Sequence, residues 1–194
     1  MEAVREGVIA VGERALLERV RQGDRAAFGE LVESTMRRAH RVAVGLVGNL
    51  EDARDLSQDA FVRAFRARRR LDPERPFFPW FYQILRRLCF NFLRDRKLRH
   101  GKLDTATPWL VAAAGERAAV DRPDRAAERD LVVRRLREAV EALPDHERET
   151  FVLREYEGLR YREIAEMVGI PQGTVMSRLY NARKRLARQL EDVR

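Results

Sequence analysis

The feature that most constrains the fold is the stretch 161–190, which reads YREIAEMVGIPQGTVMSRLYNARKRLARQL. Apolar residues recur there at helical spacing on both sides of a break at Gly169 and Pro171. This pattern predicts a short helix, a turn and a longer second helix. We expect Gly173 or Thr174 to cap the second helix.

The predicted second helix is basic, with no acidic residue between Gly173 and Leu190. The apolar residues expected to face inward are Val175, Leu179, Ala182 and Leu186, and the cations expected to face outward are Arg178, Arg183, Lys184, Arg185 and Arg188. A basic helix after a glycine-containing turn is the helix-turn-helix arrangement that places a recognition helix in the DNA major groove. A solvated helical hairpin is the weaker interpretation, because turn chemistry, periodicity and charge all agree with DNA binding.

Composition predicts an all-α protein with a polyanionic partner. The 194 residues are 45% hydrophobic and 36% charged, glycine and proline are sparse, and the net charge is +8. The charge is uneven: residues 1–99 carry 21 Lys and Arg against 14 Asp and Glu, whereas residues 124–194 carry 15 against 14. The long-range electrostatic attraction of the C-terminal half to DNA should therefore be weak, and its affinity for DNA should depend on another contact that holds it there.

The sequence also bounds the compartment. The single cysteine, Cys89, excludes an internal disulfide and fits a reducing environment. Neither a signal peptide nor a membrane-spanning run is evident, so we expect a cytoplasmic protein.

The pattern of apolar stripes predicts two small helical domains, residues 1–99 and 124–194, joined by a flexible linker over 100–123. We expect four helices in each domain. In the first, these are 13–22, a long helix capped by Asp24 and stopped at Gly48, Glu51–Leu71, and one starting at Trp80. In the second, Asp124 caps a helix, Pro144 starts the next, and the helix-turn-helix follows. The inward residues expected before the helix-turn-helix are Leu131, Val132, Leu136, Val140, Leu143, Phe151, Val152 and Tyr156.

An acidic stripe lies on the third predicted helix, where Asp52, Asp55 and Asp59 fall on one face. The residues alone leave three interpretations. Carboxylates near a helix N-terminus are favoured by its dipole, which is the simplest. The stripe can instead dock on a basic partner. A metal site is the weakest interpretation, since no histidine joins the face.

The end of the same helix is rich in arginine and leads into the loop 71–79, which contains three prolines. The helix after it mixes aromatic residues with arginines, a combination suited to single-stranded nucleic acid. We expect Phe77 and Trp80 to belong to the core, whereas the role of Phe78 stays open.

Several of these segments resemble a known family. The residues that carry the resemblance include Asp52-Ala-Arg-Asp-Leu-Ser-Gln-Asp59, Trp80-Phe-Tyr-Gln-Ile84, Gly169-Ile-Pro171 and Gly173-Thr-Val-Met-Ser177. The chain resembles bacterial sigma factors of the sigma-70 family, in the extracytoplasmic-function (ECF) group. The resemblance implies an alternative sigma factor, with a sigma region 4 (winged-helix-like) C-terminal domain, that binds core RNA polymerase and recognises −10 and −35 promoter elements. It implies no catalytic residue, no metal and no cofactor.

The resemblance also implies which residues act. The β′ coiled coil of the polymerase would bind Asp52, Asp55, Leu56, Gln58 and Asp59. The −10 strand, with one base flipped into the loop, would meet Arg63, Arg66, Arg70, Leu71, Asp72, Phe78, Arg86 and Arg87. The −35 duplex would meet Thr174, Met176, Ser177, Arg178, Tyr180, Asn181, Arg183 and Lys184. The β flap of the polymerase and an anti-sigma factor are further partners implied by the family.

Some positions depart from the family pattern. Arg87 stands where Asn is usual, Leu85 where Ala is usual, and Met176 where Lys or Arg is common, so the promoter sequence cannot be transferred from relatives. Two alternatives come from other classes. A stand-alone helix-turn-helix regulator would normally need a dimer. An enzyme acting on DNA is disfavoured because His40, His100 and His146 are scattered.

Overall fold

The computed structural model describes residues 11–100 and 123–191, with side chains over 12–99 and 132–191. All regular structure within these ranges is helical. The α-helices are α1 Val11–Gln22, α2 Arg25–Val47, α3 Leu50–Arg66, α4 Phe77–His100, α5 Pro123–Glu141, α6 Asp145–Glu155, α7 Tyr161–Val168 and α8 Gln172–Leu190; a short 3-10 helix, Arg68–Arg70, follows α3. We call α1–α4 the N-terminal unit and α5–α8 the C-terminal unit. The predicted all-α fold is confirmed, and the expected linker lies, except at its ends, outside the described residues.

Helix ends in the N-terminal unit follow local side-chain chemistry. The Asp24 carboxylate accepts hydrogen bonds from the backbone N–H groups of Ala26 and Ala27 at 2.9 and 3.0 Å, and these bonds start α2. The same bonds lower the pKa of Asp24, that from Ala27 having the largest effect. Helix α2 ends at Gly48, whose φ of 79° suits glycine, and Asn49 then caps α3. The predicted cap and stop are confirmed.

The predicted span Glu51–Leu71 was wrong at its end, because α3 stops at Arg66. Arg68 folds back there: its guanidinium donates to the Phe65 carbonyl at 3.1 Å and lies over the Phe65 ring, 4.7 Å from the centroid. The fourth helix begins at Phe77 rather than Trp80. Pro79 is tolerated in its first turn, where the missing N–H needs no partner.

Three residues of the C-terminal unit that were predicted to face inward are exposed. Val132 and Leu136, expected to face inward, are 53% and 42% exposed, because only the end of α5 is covered, around Val140 and Leu143. Tyr156 is also exposed by about a third of its surface, at 36%.

The helix-turn-helix itself forms largely as predicted. Gly169 ends α7 with a φ of 76°. Helix α8 starts at Gln172, before the expected caps, because the Pro171 carbonyl already accepts from the N–H groups of Thr174 and Val175. The four inward residues expected for α8, Val175, Leu179, Ala182 and Leu186, are all buried.

The two units pack against each other, which the sequence did not predict. The core of the N-terminal unit is aromatic, with Phe61 and Phe77 stacked on Phe81 at 4.4 and 5.4 Å between ring centroids. This core continues into Val152 and Leu153 of α6. Helix α6 approaches α2 so closely at Gly45 that a Cβ atom there would lie 2.8 Å from both Val152 methyl groups.

Gly45 should therefore be required for the contact between the units. We expect Gly45→Ala to lower the free energy of unfolding by about 1–3 kcal/mol, because the added methyl overlaps Val152. Gly29→Ala is the matched control in the same helix: its Cβ would meet nothing within 4 Å. The control should gain up to ~1 kcal/mol from helix propensity. Urea denaturation measures both, and an equal gain at the two positions would contradict the close packing of α6 on α2.

Candidate nucleic-acid and partner-binding surfaces

The residues predicted to contact duplex DNA all lie on α8. One side of α8 packs on the other helices of the C-terminal unit. On its outer side, Met176 is 54% exposed and Tyr180 is 66% exposed. These two residues line an open groove with Tyr161, Leu179, Arg183 and Lys184. Asn181 and Ser177 are also exposed, whereas Thr174 and Arg178 are half-buried. The structure therefore brings the eight predicted −35 residues together on one accessible helix.

Arg183 is held in place beside this groove. Its guanidinium pairs with the Glu155 carboxylate at 2.8 Å, and the hydrogen bond to Glu155 is the main cause of its raised pKa. Arg185, on the same helix, pairs with the buried Glu147 at 3.0 Å and faces α6. Some cations of α8 therefore form ion pairs with α6 that stabilise the C-terminal unit, whereas others remain accessible to a DNA phosphate.

The acidic stripe lies on the exposed side of α3. Glu51 and Asp52 occupy its first turn, where the helix dipole favours carboxylates, and partial burial raises the pKa of Asp52. Asp55 and Asp59 lie beyond that turn, so the dipole does not account for them. Asp59 pairs with Arg63 at 2.9 Å, whereas Asp55 is exposed. No group of three or more potential metal ligands occurs among the described residues.

The residues predicted to meet the −10 strand divide into exposed and covered sets. The exposed residues are Arg63, Arg66, Arg70, Asp72 and Arg87. Leu71 and Phe78 are 4% and 7% exposed, and Arg86 is half-buried. Leu71 packs into the core of the N-terminal unit. Phe78 and Arg86 are covered by residues that belong to, or are held by, the C-terminal unit.

Glu149 of α6 makes the central contact between the units. Its carboxylate is 1% exposed, accepts a 2.6 Å hydrogen bond from the Tyr82 hydroxyl, and pairs with both the Nε and the Nη2 of Arg86. The hydrogen bond to Glu149 is the main cause of the raised pKa of Arg86, whereas burial raises that of Tyr82. A buried carboxylate is stable only when such partners replace its lost hydration.

A second carboxylate at the contact between the units, that of Glu157, lies in the turn after α6. Its side chain is 2% exposed and pairs with Arg38 at 2.6 Å and Arg41 at 2.9 Å, both on α2. The Arg38 guanidinium also lies over the Phe78 ring, 3.5 Å from the centroid. Glu157 thereby holds in place the cation that covers Phe78.

Sequence analysis missed Arg38, Arg41, Tyr82, Glu149 and Glu157. Arg38 and Arg41 fall on the polar side of a periodic helix, and Glu149 and Glu157 look like ordinary surface carboxylates. The pairing joins residues that are more than sixty positions apart, so no local spacing could indicate it. Cys89 is buried within the N-terminal unit, and burial raises the pKa of its thiol to about 12.

Both halves of the chain match sequence models of one family, Sigma-70 region 2 over residues 31–99 and Sigma-70, region 4 over residues 133–186. The chain is 32% identical over 181 residues to the RNA polymerase sigma-H factor of Pseudomonas aeruginosa, covering 92% of this chain and 94% of that protein. It is 30% identical over 184 residues to the ECF RNA polymerase sigma-E factor of Escherichia coli K12, with coverages of 92% and 94%.

Solved structures share the fold. CnrH in complex with the cytosolic domain of CnrY superimposes with a TM-score of 0.68 at 24% identity, covering 93% of this chain and 97% of that one. The sigma factor RpoE of Bartonella quintana, in complex with the anti-sigma factor NepR, gives 0.67 at 21% identity, with coverages of 86% and 98%. Among the described residues, no helix is both long and apolar enough to cross a membrane.

The Tyr82–Glu149 hydrogen bond should contribute measurably to stability. We expect Tyr82→Phe to lower the free energy of unfolding by about 1.5–3 kcal/mol, because a buried carboxylate loses a donor. The control is Tyr180→Phe, which removes a hydroxyl from a side chain that is 66% exposed. Chemical denaturation should show no change for the control. Equal stabilities of the two variants would contradict the central position of Glu149.

Proposed function

Because this chain belongs to the sigma-70 family of RNA polymerase sigma factors, in its ECF group, we propose that its two helical units take separate parts of promoter recognition. The protein is an alternative sigma factor that binds core RNA polymerase and directs promoter-specific transcription initiation. In the proposal, residues 1–99 bind the core enzyme and the −10 element, and residues 124–194 bind the −35 element. Residues 100–123 connect them, and the factor acts in the cytoplasm.

The observation that carries the proposal is the occurrence of both sigma regions, in order, in one chain. A stand-alone helix-turn-helix regulator would not require a sigma region 2. The weak net charge of residues 124–194 fits a unit that acts while tethered to the polymerase and not by long-range attraction. Tethering gives the second contact a high effective concentration and restricts the spacing of the two promoter elements.

No residue of this chain needs to break a covalent bond in the proposed mechanism. Flipping a −10 base out of the duplex costs a few kcal/mol, which contacts to the loop 71–78 and to the polymerase offset. Each wrong promoter base should cost about 1–3 kcal/mol. The exposed arginines Arg63, Arg66, Arg70 and Arg87 suit the strand backbone. Met176 and Tyr180, which are exposed on α8, are proposed to enter the major groove of the duplex.

The acidic stripe of α3 is proposed to dock on the β′ coiled coil, through Asp55, Asp59 and Gln58 together with Asp52 and Leu56. Region 4 is proposed to meet the β flap. RpoE of Bartonella quintana was solved with an anti-sigma factor. We propose that a protein of that class also regulates this chain.

Polymerase docking can be tested by charge reversal. Asp55→Arg with Asp59→Arg should abolish co-elution with core polymerase on a sizing column, because the stripe would then repel a basic partner. The control is Glu18→Arg with Glu30→Arg, which changes the net charge equally on α1 and α2. Circular dichroism should be native for both variants. Retained co-elution of the α3 variant would reject the docking role.

The −35 assignment can be tested with two templates. Tyr180→Ala should weaken transcription from an intact promoter, because an exposed contact of α8 is lost. It should spare transcription from a template with a pre-opened bubble that lacks the −35 element. In-vitro transcription of genomic fragments with added polymerase first supplies the promoter. Equal losses on both templates would count against the assignment.

A further inference from the structure

We propose that Arg38, Arg41 and Arg86 form a phosphate-binding track for the −10 single strand, and that Glu149 and Glu157 occupy this track in the free chain. The proposal rests on the sigma-factor function given above, and adds Arg38 and Arg41 to the residues that the resemblance implied. It also makes the C-terminal unit a competitor of the DNA strand.

The first support is the pairing of the two carboxylates. Glu157 pairs with two cations of α2, at 2.6 Å from Arg38 and 2.9 Å from Arg41. Glu149 binds Arg86 through two guanidinium nitrogens. Guanidinium groups bind carboxylate and phosphate oxygens with the same forked geometry, so a phosphate can replace either carboxylate at these positions.

The second support is the continuity of the track with the predicted base pocket. The Arg38 guanidinium lies 3.5 Å from the centroid of the Phe78 ring. The Phe78 and Tyr82 rings lie 6.3 Å apart, and Tyr82 contacts the same Glu149 carboxylate as Arg86. Cations therefore flank an aromatic surface from α2 to α4. Proteins that bind single strands combine these two features, cations for the backbone and rings for the bases.

The third support is the burial of the acids. The side chains of Glu149 and Glu157 are 1% and 2% exposed. Such carboxylates remain stable only while their arginines stay in place. When the units separate, water hydrates the acids and the three arginines become free for phosphates. Binding of the strand and closure of the units therefore exclude each other, and the strand shifts the population toward the open form.

The test uses the full chain and a fluorescein-labelled single-stranded DNA dodecamer of randomised sequence, followed by fluorescence anisotropy over a salt series. Glu149→Gln with Glu157→Gln should bind the dodecamer about tenfold more tightly than the wild type at low salt, because three cations are released. Its radius of gyration from small-angle scattering should increase. The matched control, Glu138→Gln with Glu166→Gln, changes the net charge equally at exposed positions of the C-terminal unit and should bind like the wild type.

Arg38→Ala with Arg41→Ala, added to the Glu149 and Glu157 variant, tests the arginines themselves. The slope of log affinity against log salt should become shallower by about 1.4, since each phosphate contact of a single strand contributes ~0.7. Binding by the Glu149 and Glu157 variant that matches its control would overturn the competition, and an unchanged slope would overturn the track. The same proteins are tested for co-elution with core polymerase: failure of the wild type there would reject the sigma-factor function separately.

Discussion

The packing of the two units against each other depends on the hydrogen bonds and the ion pair of the buried Glu149 carboxylate. This carboxylate lies at the contact of the two units, with a hydroxyl from Tyr82 and a guanidinium from Arg86 as its partners. Burying this carboxylate without such partners would destabilise the packed arrangement by several kcal/mol. The units must therefore pack so that Tyr82 and Arg86 reach Glu149, or separate far enough for water to hydrate it. Gly45 permits this packing, because a Cβ atom there would lie 2.8 Å from both Val152 methyl groups of α6. Polar pairing thus specifies the arrangement, and the apolar contacts of Val152 and Leu153 stabilise it.

The two candidate DNA surfaces differ in their availability. The outer side of α8 stays exposed, with Met176 and Tyr180 facing solvent. The predicted −10 surface of the N-terminal unit is partly covered, since Arg38 lies over Phe78 and Glu149 pairs with Arg86. The acidic stripe of α3 remains open to a partner. In the proposal, the residues assigned to the polymerase and to the duplex are accessible while the units are packed together. Of the residues assigned to the −10 strand, Phe78 and Arg86 become accessible only when the units move apart.

Local chemistry made much of the fold predictable. The Asp24 cap, the stop at Gly48 and the four inward residues of α8 follow from capping rules and helical period, and all were correct. The errors arose where a specific side-chain contact, or the absence of a covering element, decides the outcome. Arg68 ends α3 early by binding the Phe65 carbonyl, and Val132 and Leu136 are exposed because no other described element covers that part of α5. The exposed positions on α8 could be predicted from the helical period alone. The positions of Glu149 and Glu157 could not, because their burial depends on how the two units pack.

The separation of the two units can be measured as a distance between them, with and without the polymerase and promoter. Spin labels at Glu18→Cys on α1 and Ala187→Cys on α8, both exposed positions, would report it by pulsed electron resonance, with the buried Cys89 left unlabelled. The free chain should give one narrow distance distribution, and the complex of chain, core polymerase and promoter DNA should give one shifted to longer distances. An unchanged distribution in that complex, or a broad distribution in the free chain, would contradict the separation of packed units.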